Sequence, residues 1–177
     1  IYWLLGDGGP DRLFGNRGPD RALGGTGADR LHGGPGDDGL RGGAGPDGLH
    51  GGPGGDVLRG AAGRDRLEGG GGDDLAQGGA GDDLVRGGPG ADTLFGGPGA
   101  DRLGGGPADD LIFAGAGDDT IFSGGGADTA LGGAGADLFI HDPRTGRLTL
   151  PDFDPSEGDR LRLPGEAPAV AEDDWAL

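Results

Sequence analysis

An aspartate returns at every ninth residue along most of this chain: Asp11, Asp20, Asp29, Asp38, Asp47, Asp56, Asp65, Asp74, Asp83, Asp92, Asp101, Asp110, Asp119, Asp128 and Asp137. Glycine surrounds each of them, so carboxylates are set down beside backbone carbonyls that no side chain obstructs. That combination suits a hard divalent cation. Calcium accepts about six to eight oxygen ligands in flexible geometry, backbone carbonyls included, whereas magnesium demands tight octahedral geometry and keeps its waters. Zinc prefers nitrogen and sulfur, which the turns lack. Without a cation, fifteen carboxylates stacked in columns would repel one another.

What must position them is a repeat. Residues 6–140 divide into fifteen blocks of nine without insertion or deletion, as in GGTGADRLH (24–32), GGAGDDLVR (78–86) and GGPGADTLF (87–95). Aspartate holds the sixth place of every block, and glycine holds the fourth in fourteen, with Ala108 the exception. The eighth place is aliphatic or aromatic in twelve blocks, and Ala22, Ala76 and Ala130 fill the rest. Glycine at the first, second and fourth places permits positive φ in a tight, carbonyl-lined turn. In the last three places only the middle residue is regularly apolar, which predicts a three-residue strand with one side chain inward and two outward. A six-residue turn and a three-residue strand make half of a flattened coil. Two blocks then close a coil, and blocks n and n+2 stack as parallel strands about 4.8 Å apart. The fifteen blocks predict an all-β stack of about seven and a half coils.

Composition agrees with a repeat that draws its stability from outside. Of 177 residues, 49 are Gly and 13 are Pro, aromatics are 5 % and the formal charge is −17, which argues against a self-sufficient hydrophobic core. Collagen is excluded, because glycine returns at the seventh place only at Gly39 and Gly48. An acidic chain is a poor partner for nucleic acid. Cysteine is absent, so there is neither a disulfide nor a thiolate metal site, and no apolar run approaches the length of a membrane helix. No H-E-x-x-H, G-x-S-x-G or P-loop is present, and neither Ser123 nor Ser156 has a base nearby in sequence, so catalysis is not expected.

The unit G-G-x-G-x-D-x-U-x resembles the hemolysin-type calcium-binding repeats of the RTX family over 6–140. The resemblance implies a parallel β-roll with calcium between adjacent turns, each ion held by two repeat aspartates and by turn carbonyls. Gly24, Gly27, Gly33, Gly36, Gly42, Gly45, Gly51, Gly54, Gly78, Gly81, Gly87, Gly90, Gly96, Gly99, Gly132 and Gly135 are the carbonyl candidates. Pairing each of the fifteen aspartates with the one two blocks on leaves up to about 13 sites. Asp37, Asp73, Asp82, Asp109 and Asp118, at the fifth place, are expected to face solvent. Scarce calcium inside cells and millimolar calcium outside point to a secreted module that folds on calcium. The competing readings are a calcium-dependent adhesion or glycan-binding module and the C-terminal domain of a larger secreted enzyme.

Running the register backwards places Leu4 in an inward slot and Tyr2 where aspartate would stand, so residues 1–5 read as a capping strand. Residues 141–164, with PDFDPSEGDRLRL, resemble the segment that closes the roll in secreted RTX enzymes, and 165–177 resemble a type I secretion signal. His32, His50 and Glu68 recur at 18-residue spacing and could form a metal site on one outer face. Arg12, Arg21, Arg30, Arg41, Arg59 and Arg66 lie on the outer strands of the first half, where they offset the acidic turns or meet an acidic polysaccharide. In the second half the outward residues Phe95, Leu111, Phe113 and Leu131 make an uncharged strip, to be covered by the tail 141–177 or by a second copy of the chain.

Overall fold

The computed structural model describes residues 2–164, and among them every regular element is a β-strand. All strand pairs are parallel and offset by 18 residues through the repeats, as in Leu31↔Leu49 and Leu94↔Ile112. Successive strands alternate between two sheets that face each other, and two turns join them into one coil. One sheet runs Trp3–Leu5, Arg21–Thr26, Gly39–Ala44, Val57–Ala62, Leu75–Ala80, Thr93–Pro98, Leu111–Ala116, the second part of Thr120–Ala134, and Gly146–Thr149. The other begins at Arg12–Phe14 and ends at Arg160–Arg162. The molecule is a β-solenoid of about nine turns, since the strands flanking the repeats add rungs to the seven and a half coils that fifteen blocks supply.

The core is a single file between the sheets. Leu31, Leu40, Leu49, Leu58, Leu67, Val85, Leu94, Leu103, Ile112, Ile121 and Phe139, all from the eighth place, are buried, with Ala22, Ala76 and Ala130 in line. Leu4 pairs with Ala22 and packs against one end of the file. At the other end Leu148, Leu150 and Phe153 close it, and the Phe153 ring meets Phe139 edge-on at 5.9 Å.

Two details differ from the sequence reading. Most strands have six residues rather than three, because the first three places of each block stay in the ladder, as Gly25↔Gly43 and Thr26↔Ala44 do. The turn proper is therefore only the fourth to sixth places. Positive φ falls at the second and fourth places and not at the first, with Gly43 at 126° and Gly45 at 118°. The first place needs glycine for a different reason: it is a second inward slot, and a Cβ on Gly42 would strike the Asp47 carboxylate of its own turn. Ala114 and Ser123 show that a small side chain can be fitted there. At the second and fourth places a Cβ on Gly43 or Gly45 would overlap the carbonyl oxygen of Gly25 or Gly27 one rung below. Backbone packs on backbone in the turns, which only glycine or a tolerant residue such as Ala61 or Ala108 allows.

Candidate metal centre

Stacking turns the sequence period into two columns of aspartates, one along each edge of the roll. Asp20 to Asp128 form the first at 18-residue steps, and Asp11 to Asp137 form the second. From Asp20 onward all are buried, at 1–3 % exposure, while Asp11 at the end of its column is half-buried.

The two oxygens of each carboxylate are used differently. One oxygen, Oδ1, accepts the backbone N–H of the aspartate one rung earlier: Asp65 N–H donates to Asp83 at 2.8 Å, Asp83 N–H to Asp101 at 2.8 Å, and Asp101 N–H to Asp119 at 2.7 Å. The first column starts with Tyr2 N–H on Asp20 at 2.7 Å. The other oxygen, Oδ2, is buried without a hydrogen-bond partner in Asp11 and in the repeat aspartates from Asp29 to Asp137. A buried acceptor left unpaired is costly, and an ionised one far more so.

The electrostatics follow from that arrangement. Burial, opposed in part by the backbone N–H, raises the pKa of Asp83, Asp110 and Asp119 to about 7, with column neighbours adding to the rise. Asp47, Asp56 and Asp74 are raised to about 6 in the same way. Burial also raises Asp92 and Asp101 to about 6, with the fifth-place Asp73 and Asp82 adding the repulsion there. A divalent cation reverses this penalty, since opposite charge close by favours the ionised form.

The donors present fit calcium. No group of three His, Cys, Asp or Glu side chains converges among the described residues, so an ion here must take part of its shell from the backbone. The turns supply it, because the glycine carbonyls stand against the next rung with no Cβ between. An all-oxygen set of carboxylates and carbonyls is the chemistry of calcium rather than zinc.

The fifth-place aspartates are exposed, as expected, and they also tie turns together. Asp73, Asp82, Asp109 and Asp118 each accept the backbone N–H of the fifth-place residue one rung later, at 2.7–3.0 Å. They bracket neighbouring turns from outside. The proposed His32–His50–Glu68 metal site is absent among the described residues. His32 stacks on Phe14 with ring centroids 5.0 Å apart, and His50 Nδ1 lies 3.7 Å from a Glu68 carboxylate oxygen. Ser123 does have a base beside it, one rung away and invisible in sequence: its Oγ lies 2.8 Å from His141 Nδ1. Both stand in first-place slots near Asp128, and Ser123 is fully buried, so no substrate reaches this hydroxyl. The strip residues Phe95 and Phe113 stack face to face at 4.9 Å. The described part of the tail, 141–164, continues the stack instead of covering that strip, and 165–177 lie outside the described residues.

One residue was missed. Asp159 takes the last rung of the second column, accepting Asp137 N–H at 3.0 Å on Oδ1 and Asp154 N–H at 2.9 Å on Oδ2. Both of its oxygens are satisfied by backbone, so it ends the column without an unpaired atom. Its spacing from Asp137 is 22 rather than 18, which hides it from the period. The signal was the local pattern Asp159-Arg160-Leu161, which repeats Asp65-Arg66-Leu67 place for place.

A comparison with curated proteins finds no match. Among family models, the four-copy RTX calcium-binding nonapeptide repeat matches at 5–40, 14–49, 41–76, 50–84, 68–103 and 104–139. Those matches span nearly the whole repeat array and join the aspartate columns to a family defined by calcium, so this chain belongs to the RTX calcium-binding nonapeptide-repeat family.

Proposed function

We propose that the roll is a calcium-binding structural module that folds when calcium arrives, outside the cell, as part of a protein exported by a type I route. The observation that carries this reading is the half-satisfied carboxylate: one oxygen is fixed by backbone and the other is buried with nothing to pair it. In this reading the repeat aspartates and the turn glycine carbonyls hold up to about 13 ions, which supply the positive charge that lets the columns ionise in the interior. The low-affinity range of extracellular calcium modules suits a switch between scarce and millimolar calcium.

Calorimetric counting of bound calcium tests the assignment. Asp83 stands between Asp65 and Asp101 in its column, so Asp83→Ala is expected to cost about two ions and to flatten the cooperative transition. Asp11, at the column's end, borders one gap, and Asp11→Ala is expected to remove one ion at most. Equal losses at the two positions would overturn the stacked-site reading.

Self-association through Phe95, Leu111, Phe113 and Leu131 belongs to the same proposal, since stacked phenylalanines beside the 36 % exposed Leu111 present an uncharged face. Phe113→Asp should halve the scattering mass of calcium-loaded chain if two copies meet there. An unchanged mass in wild type and variant would leave the strip without that role.

A further inference from the structure

Ser123 breaks a rule of the repeat. Every other first place from Gly6 to Gly132 is glycine, except for Ala114. Glycine there leaves room for a carboxylate, since a Cβ on Gly105 or Gly132 would strike Oδ2 of Asp110 or Asp137 in its own turn. Ser123 puts a side chain into the corresponding slot of the Asp128 turn, beside an Oδ2 that is buried with no hydrogen-bond partner. The serine is fully buried, and its carbonyl oxygen faces Gly105 in the Asp110 turn one rung below. Burial lifts the Asp128 carboxyl above its ordinary pKa, and the Asp110 N–H, His141 and the Ser123 hydroxyl all oppose that rise.

The gap between the Asp110 and Asp128 turns differs from the others on both sides. Asp128 is the last aspartate of its column, because Leu148 stands opposite it on the next rung, so this gap is the only one it borders. Across the gap, Ala108 replaces the usual fourth-place glycine and takes φ of 90°, where Gly99 and Gly117 take 143° and 131°. The Pro107 carbonyl beside it accepts Gly90 N–H at 3.4 Å, against 2.8 Å for the equivalent bond from Gly72 to Pro89. A turn reshaped at these places presents its carbonyls differently from its neighbours.

We propose, on the calcium reading given above, that Ser123 supplies a side-chain oxygen to the ion between the Asp110 and Asp128 turns, with His141 as the positioning residue behind it. His141 Nδ1 lies 2.8 Å from Ser123 Oγ. When the hydroxyl donates to that nitrogen, its proton points away from the positive charge and its lone pairs are left for the ion. Calcium takes oxygens of several kinds in flexible number, so a hydroxyl can stand in for a displaced carbonyl. The imidazole is itself anchored, since His141 N–H donates to the Arg162 carbonyl at 3.2 Å.

The experiment counts calcium by chelator competition on chain that circular dichroism shows to be folded, and follows the histidine ring protons by NMR. Ser123→Gly restores the residue usual at this place, and Ser123→Ala copies the buried Ala114, so both should fold. Each is expected to hold one ion about ten-fold or more weakly than wild type. The His141 ring signals should change while those of His32 and His50 stay put. His141→Leu keeps the hydroxyl without its acceptor and should weaken the same ion by a smaller factor. His141→Gln, whose amide oxygen can accept the proton, should recover part of that loss. Wild type that folds without calcium, or binds none, would remove the calcium reading and this proposal together. Calcium-dependent folding with unchanged ion count and affinity in Ser123→Gly would overturn this proposal alone. So would a Ser123→Gly chain that no longer folds in calcium, because the serine would then serve packing rather than the ion.

Discussion

Chelating calcium at neutral pH is expected to unfold the whole roll, and millimolar calcium to refold it in one cooperative step. The interior has little to hold it otherwise. Each block contributes one apolar side chain, three of these are Ala22, Ala76 and Ala130, and the second inward slot is mostly glycine. Against that thin file stand two columns of buried carboxylates whose Oδ2 atoms have no protein partner from Asp29 to Asp137. Each rung touches only the rungs above and below, so the loss of ions weakens every interface together rather than one region. Small-angle scattering should report a radius of gyration near that of an unfolded chain, about 45 Å, in chelator, and one closer to about 16 Å once calcium is added. Circular dichroism should gain its β signal over the same calcium range. A compact, β-rich chain in chelator would show that packing alone suffices and would sink the idea.

Acid should reverse the requirement. The raised values of about 6 at Asp47, Asp56, Asp74, Asp92 and Asp101, and about 7 at Asp83, Asp110 and Asp119, belong to the folded, metal-free roll. An unfolded chain would have its carboxyls near 3.8. The fold therefore binds protons more tightly than the unfolded chain does. That contribution to stability is fully present below pH 3.8 and is lost as pH rises through about 6 to 7. Metal-free chain should accordingly gain β-structure on acidification and lose it again towards neutrality. Calcium needs the same oxygens ionised, so the calcium concentration at the folding midpoint should climb as pH falls from neutrality through that window. Circular dichroism across pH, with and without calcium, reads both effects. A midpoint independent of pH, or metal-free chain that gains structure as pH rises, would exclude the columns as the shared binding place of protons and calcium.

Much of this was legible because the period is unbroken. An 18-residue coil follows from strand geometry once two blocks are seen to make a turn, and it fixes Leu4 opposite Ala22 and Phe95 opposite Phe113 without further information. What the period could not carry was chemistry between rungs. The bond from Asp83 N–H to the Asp101 carboxylate joins like residues in successive coils, and sequence alone does not say which oxygen is used or left. Ser123 and His141 meet for the same reason, through a slot in the stack rather than through proximity along the chain. Asp159 escaped because the insertion before it breaks the count while its own three residues restore the pattern. The location of positive φ was misjudged at the first place, since glycine there answers to the space around a carboxylate and not to backbone conformation.

The strict alternation of sheets makes the length of this molecule a quantised property. Removing 18 residues from the array would shorten the rod by one rung and return every later residue to its own face, with Asp159 still ending the column it ends now. Removing nine would preserve turns and core equally well, because neighbouring blocks are interchangeable there, yet everything downstream would change sides. Phe95 and Phe113 would then continue the ladder of His32 and His50, and Asp159 would close the opposite column. Growth and loss by whole coils are therefore silent for the surface, whereas a single-repeat change rewrites both faces at once.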